Sequence, residues 1–374
     1  MREIYLDNAA STPVDQRVLN AYNEASQTFF GNPSNIKHKS GVQASNAVEA
    51  ARSKIGELLG LDPRGIIFTS GATEANNLAL KGIACLQKKR CSVLISSIEH
   101  ACVNDSANSL IERGIRVKKI ATMANGQINL SSMSKLASNS NQLKLVSTIL
   151  VNNETGVIQP LPKIIGIAKA HGALVHTDAV QAIGKVPLDI LRYADLVSIS
   201  GHKIGGPKGI GLLWVRPGLK IYPLLVGGGQ ERGARSGTLP VPLIVAFSKA
   251  IEIATKQTSW LGMVNKEMRL LENRILQEVP GAVINGGSSP RVAHISNISF
   301  PFKAQIIDHL PGIAASSGAA CSCPKKQPSA VLLSMGAPSS MAKNCLRLSA
   351  GRDTTQQQIR SAATLIVDAA KKLA

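Results

Sequence analysis

Aromatic side chains are scarce in this chain: only 3% of its 374 residues are Phe, Trp or Tyr. A sizeable interior must therefore be aliphatic, and the 44% hydrophobic content can supply it. No apolar run approaches the about 20 residues a helix needs to cross a bilayer. The start, MREIYLDNAA, has no secretory h-region. These absences predict a cytoplasmic protein with no membrane partner. CxxC pairs and Cys/His clusters with zinc spacing are also missing, so no metal site is expected. Most of the six cysteines are expected to be small buried hydrophobes. No internal repeat or low-complexity stretch is visible. Acidic residues are outnumbered, 23 against 42 Lys and Arg, for a net charge of +19. Such a field attracts acidic partners or nucleic acid. The basic residues fall in scattered pairs, such as Lys118-Lys119 and Lys371-Lys372, with no aromatics interleaved. Direct nucleic-acid binding is thus not favoured.

What is present is an alternation of patterns. Helix-like stretches at 44–59 and 162–170 are interleaved with short apolar, β-branched runs at 66–69, 93–96, 145–151, 173–176, 196–199 and 211–215. Such runs between helices predict buried parallel strands in an α/β sheet covered on both faces. After residue 258 the texture changes. A long amphipathic helix at 260–278 leads into strand-like pieces at 282–284, 293–300, 312–316 and 346–348, and a helix at 356–373 closes the chain. The expected division is a large α/β domain over 15–258 and a smaller α+β domain built from 1–14 and 259–374. Ligands of open α/β sheets bind beyond the carboxyl ends of the strands. The informative residues should follow the apolar runs.

They do. After the first run, Gly71-Ala72-Thr73 opens a helix, which offers an anion free backbone N–H groups and a favourable dipole. After the second comes His100, either a helix cap or an imidazole lying over a flat cofactor ring. The third ends in Asn152-Asn153, whose amides suit a phenolate or carboxylate oxygen, or simply a turn. Asp178 follows the fourth, with Gln181 three residues on. A buried carboxylate needs a cationic or protonated partner, and a pyridinium nitrogen is one; the alternative is a helix N-cap. The fifth ends in Ser200-Gly201-His202-Lys203. Lys203, walled by glycines, suits imine formation or is an ordinary loop lysine. Ser200 and His202 suit a phosphate. Each group alone has a bland explanation. In order at consecutive strand ends, they are the parts of a pyridoxal-phosphate site.

At this point the sequence resembles the cysteine desulfurases of the class-V aminotransferase group. The matching motifs are LDNAASTPVD, FTSGATEANN, VNNETGV, HTDAVQAIGKVPLD, SGHKIGGPKGIG, GGGQERGARSGT, SSGAAC and RLSAGR, in family order over essentially the whole chain. The resemblance implies an aspartate-aminotransferase-like (fold type I) α/β architecture, a mostly parallel central sheet plus a smaller α+β domain. It implies pyridoxal 5'-phosphate as cofactor. Lys203 would carry it, Asp178 would pair with its ring nitrogen, Gln181 with its phenolic oxygen, and His100 would stack on the ring. Ala72, Thr73, Ser200 and His202 would hold the phosphate. Thr238 would reach the phosphate of the other subunit of a homodimer. Asn153 and Arg347 would hold the substrate carboxylate.

Cys321 matches the nucleophile. It would take sulfur from L-cysteine, leaving L-alanine and a persulfide, and pass the sulfur to an acceptor protein. The stretch from Cys321 to Ser329 looks like the longer, mobile catalytic loop of the group. Lys325 and Lys326 in it would lower the thiol pKa and attract an acidic acceptor. Cys323 departs from the family pattern and reads as incidental rather than as a second relay. The chain closes at AAKKLA, where members feeding iron–sulfur scaffolds commonly carry a further tail; tRNA thiolation and DNA phosphorothioation are the other acceptor systems of the group. Selenocysteine lyase and other class-V transaminases are the alternative activities, and Cys321 argues against a transaminase. A non-enzymatic descendant is disfavoured by intact Lys203, Asp178 and His100.

Overall fold

The computed structural model describes residues 3–86, 91–140, 142–318 and 327–373. Its centre is a seven-stranded sheet in the order Ile66–Thr69, Gly211–Val215, Leu196–Ser200, Leu174–Asp178, Leu143–Ile149, Ser92–Ser96, Arg116–Ile120. The five strands from Leu196–Ser200 to Arg116–Ile120 pair in parallel. Gly211–Val215 runs antiparallel to both of its neighbours. The expectation of a parallel strand there is corrected by chain length. Only the short segment 201–210 joins it to Leu196–Ser200, and a parallel return needs a crossover of about a dozen residues or more.

Neighbouring residues in these strands feed opposite faces, as the pleat requires. Phe68, Leu94, Val146 and Leu212 enter one core, with Val48, Ile55, Ile244 and Phe247 from covering helices. Ile67, Val93, Ile95, Leu145 and Leu213 enter the other, under Leu78 and Leu110. The edge strand Arg116–Ile120 has the sequence RVKKI and buries only Ile120. Its charges hide it from a hydrophobicity reading and also protect an open sheet edge from further pairing.

A further core gathers Leu6 with Val264, Met268 and Ile275 of the helix Trp260–Glu278 and Ile359 and Ile366 of the helix Gln356–Leu373. Ile298, Leu346 and Leu348 complete it from a three-stranded antiparallel sheet of Val283–Ile284, Ile295–Ser299 and Cys345–Ser349. Ile4–Tyr5 pairs in parallel with Ile313–Ala314. The N-terminal segment thus begins on the late part of the chain and then reaches back: Thr12 accepts the Gly205 N–H through Oγ1, and its own hydroxyl donates to the His202 carbonyl. Among the described residues no helix is long and apolar enough to cross a membrane.

Candidate active site

The carboxyl ends of the parallel strands open onto a cavity of about 500 Å³. Ala72, Thr73, His100, Asn153, Asp178, Gln181, Ser200, His202, Lys203 and Arg347 all line it. The fold therefore gathers the singled-out residues, from Ala72 to Arg347, around one space. Thr238 is exposed and is not among the described side chains lining it. Cys321, expected as nucleophile, lies outside the described residues, as do Cys323, Lys325 and Lys326.

One end is an anion cradle. Gly71 precedes the helix Ala72–Cys85 with no side-chain cap, leaving first-turn N–H groups open. The turn sits tightly on its neighbour strand. A Cβ on Gly211 would lie 2.6 Å from the Ile199 oxygen and 2.8 Å from the Gly71 Cα. Outside the turn, Glu74 accepts the Ser70 N–H at 2.8 Å and an Arg235 N–H at 2.8 Å. Arg235 belongs to the GGGQERGARSGT motif, and the motif's Glu231 is itself clamped by buried Arg52 at 2.7 Å. His202 also lines the cavity; burial, then Lys203 and Lys208, pushes its imidazole down to about 4.

Asp178 ends its strand 4% exposed. Its Oδ2 accepts from Asn76 Nδ2 at 2.7 Å and its Oδ1 from the Val180 N–H at 3.0 Å. Both donors are neutral, and among the described residues no ion pair joins this carboxylate. The turn geometry replaces the helix N-cap that Asp178 also suited.

His100 caps a helix, Ala101–Glu112, and lines the cavity as well. Its Nδ1 accepts the Cys102 N–H at 3.2 Å and lies 3.1 Å from Cys102 Sγ. Burial lowers the imidazole pKa against the opposing pull of Asp178. A neutral ring whose Nδ1 is an acceptor carries its proton on Nε2. Cys102 departs from the expectation for a buried hydrophobe, which suits Cys91 and Cys345. It lines the cavity, and burial together with Asp178 pushes its thiol up to about 12. Its place two residues past His100 was the available signal.

Lys203 follows the strand Leu196–Ser200 in a single tight turn, Gly201–Lys203. Its Nζ donates to the carbonyls of Ala9 and Ala10, both at 2.7 Å, and Gln181 Nε2 donates to the Ala9 carbonyl at 2.9 Å. Backbone acceptors from the N-terminal segment are invisible to a reading of side-chain types. Arg347 is buried on the strand Cys345–Ser349. Nη2 donates to Asp7 Oδ1 at 2.7 Å and Ser316 Oγ at 3.1 Å, and Nη1 to the Asn153 carbonyl at 3.1 Å. Asn153 thus meets Arg347 through its backbone.

The family model "Aminotransferase class-V" matches residues 4–361. A cysteine desulfurase IscS of Rickettsia massiliae is 42% identical over 377 residues, covering 99% of this chain and 92% of the relative. The chain belongs to the class-V aminotransferase family, within its cysteine desulfurases. Solved structures agree. A NifS-like protein from Rickettsia africae is 32% identical with a TM-score of 0.88, over 98% of this chain and 99% of that one. A protein named SspA, solved in complex with cysteine, is 34% identical with a TM-score of 0.81, over 92% of this chain and 98% of its own.

Class-V aminotransferases are pyridoxal-phosphate enzymes, and the residues of this family member fit that group. A buried carboxylate with only neutral donors, Asp178, calls for a protonated ring nitrogen. The uncapped helix start at Gly71 calls for a phosphate. An amine, Lys203, lines the same cavity.

Proposed function

We propose that this chain converts L-cysteine to L-alanine with pyridoxal phosphate, Cys321 receiving the sulfur. The C–S bond of cysteine breaks and an S–S bond forms at Cys321; of the two thiol protons, one ends on the alanine β-carbon and the other on the persulfide. The observation that supports this most is the meeting of Lys203, Asp178, His100 and Arg347 around one cavity. Bound there, the cofactor supplies an electron sink. Lys203 would attach it covalently; Asp178 would keep its ring nitrogen protonated, Gln181 would face its phenolic oxygen and His100 its ring. Ala72, Thr73, Ser200 and His202 would bind the phosphate. His100, neutral and protonated at Nε2, can hold or release a proton at that atom. Arg347, with Asn153 beside it, would hold the substrate carboxylate, a planar two-point task that suits guanidinium.

We further propose a homodimer in which exposed Thr238 contacts the partner subunit's phosphate site. The persulfide would be passed to an acceptor protein of iron–sulfur assembly, tRNA thiolation or DNA phosphorothioation, in the cytoplasm. The division into a large domain over 15–258 and a small one from 1–14 and 259–374 would bring Arg347 and Cys321 to the cofactor from the smaller unit. Cys321→Ser tests the assignment: it should keep the visible cofactor band and lose alanine and sulfide production, whereas an undiminished rate rules the thiol role out. Mixing Thr238→Ala with Lys203→Ala chains tests the shared site; no cross-subunit change in cofactor affinity would count against it.

A further inference from the structure

A second cavity, of about 240 Å³, shares Lys203 as a wall residue with the first. It is walled by both the sheet-bearing part of the chain and the later part, through Lys185, Trp260, His294 and Arg352. Its size lies below the about 300–1,000 Å³ of sites for drug-sized ligands. A small metabolite is the scale it suits.

Its polar groups are unevenly matched. His294 is 1% exposed, and neither ring nitrogen has a hydrogen-bond partner among the described residues. Buried polar atoms are normally paired, and leaving them unpaired is costly. Trp260 meets the ring edge-on, with centroids 6.3 Å apart, so the imidazole is held in place by an apolar neighbour. Among the described residues Lys185 Nζ makes two long contacts, to Gln181 Oε1 at 3.4 Å and the Lys203 carbonyl at 3.3 Å. Burial, then Lys203, lowers the Lys185 amine to about 7; an anion beside it favours the ammonium, whose three donors leave at least one for that ligand. Arg352 Nε is buried and unpartnered among the described residues, while its Nη1 donates to Asp15 at 3.0 Å. Asp15 is already engaged by Arg17 at 2.6 Å. Arg352 Nε, a Lys185 N–H and one His294 N–H are donors left for a ligand, the other His294 nitrogen is an acceptor, and the carboxylates of Asp15 and Asp353 share the same wall.

We propose that this cavity is a second binding site, taking a small α-substituted monocarboxylate. The carboxylate accepts from Lys185 and Arg352, and an α-hydroxyl or α-ammonium donates to His294. Because Lys185 also contacts Gln181 and the Lys203 carbonyl, an occupant there bears on the residues that face the cofactor. The site is independent of the desulfurase reading, since its test does not depend on turnover.

The test is calorimetric titration of the full-length holoenzyme with L-lactate, which carries both groups but no amine to react with the cofactor. Lactate should bind at millimolar or lower concentration, and propionate, lacking the α-donor, about tenfold more weakly. Lys185→Met and His294→Leu should each weaken lactate by about tenfold or more. Arg347→Lys, which alters the active-site cavity, should leave this binding in place. Absence of lactate binding overturns the proposal. So does equal affinity for lactate and propionate, or binding lost in Arg347→Lys and retained in Lys185→Met. Should the variants fail to fold, a lactate-soaked crystal of the unaltered holoenzyme decides: density between Lys185 and His294 supports the site, and ordered water alone there overturns it.

Discussion

Arg347 Nη2 donates to Asp7 Oδ1 at 2.7 Å, joining the strand Cys345–Ser349 to the N-terminal segment at the cavity wall. The same guanidinium reaches Ser316 and the Asn153 carbonyl, so three distant segments orient it. Arg347→Lys keeps the charge but loses the fork. It should raise KM for cysteine by about tenfold or more while the visible cofactor band survives. Steady-state kinetics beside absorption spectra checks this. Asp7→Asn leaves a buried guanidinium without its counter-charge and should lower stability by about 1–3 kcal/mol in denaturant melts, discounted because Asp7 is partly exposed.

Cys102 lines the cavity beside His100, yet burial and Asp178 hold its thiol at about 12. A protonated thiol is a poor nucleophile. Cys102 should therefore resist iodoacetamide at pH 8, as read by mass spectrometry of the alkylated chain. Cys102→Ala should retain alanine production within about threefold, because the backbone N–H that orients His100 remains. A collapse of activity would show that the thiol itself takes part.

The anion cradle depends on Gly211, where a Cβ would collide with the Ile199 oxygen and the Gly71 Cα. Neither is the far end of a flexible side chain, so the Gly71 turn must shift. Gly211→Ala should cost about 1–3 kcal/mol of stability and weaken pyridoxal-phosphate retention, measured by dialysis against cofactor-free buffer.

Glu231 is clamped by Arg52, with side-chain exposures of 1% and 4%, and its Oε2 accepts the Phe68 N–H at 2.7 Å. Removing one partner of a buried pair strands the other charge. Glu231→Gln should cost about 3–5 kcal/mol in guanidinium melts and loosen the segment that presents Arg235 and Thr238.

Glu99 is buried, and its carboxyl is pushed up to about 8; burial raises it most, the Ser96 and Ile149 hydrogen bonds oppose, and Asp178 adds a small rise. Its ordinary value is 4.5. Between those values the folded state binds the proton and the unfolded state does not. The group's contribution to stability is therefore full below pH 4.5 and is lost as pH rises toward 8, at up to about 1.4 kcal/mol per pH unit. Glu99→Gln, which mimics the protonated carboxyl, should flatten that slope in melts run across the window.

Much of this architecture was legible in the linear chain because two periodicities dominate it. The helices Trp260–Glu278 and Gln356–Leu373 lie where amphipathic spacing puts them, and the buried strands Ile66–Thr69 and Leu196–Ser200 lie where short apolar runs put them. Arg116–Ile120 escaped because an edge strand keeps its charges in solvent and so lacks the signal. Gly211–Val215 was visible as a strand, but its direction was not, since composition carries no information about which neighbour a strand meets.

By itself the sequence determined the inventory: an amine at Lys203, a carboxylate at Asp178, an imidazole at His100, each just past a buried strand, and a thiol at Cys321 within SSGAAC. Residue type and local order suffice for that, because chemistry resides in side chains and strand ends follow hydrophobic runs. Only the tertiary structure decided that the Ala9 and Ala10 carbonyls meet Lys203, that Asp7 orients Arg347, and that Lys185 and His294 share a second cavity with Arg352. Those contacts join segments far apart in the chain or use backbone atoms that every residue carries, and no local pattern encodes either.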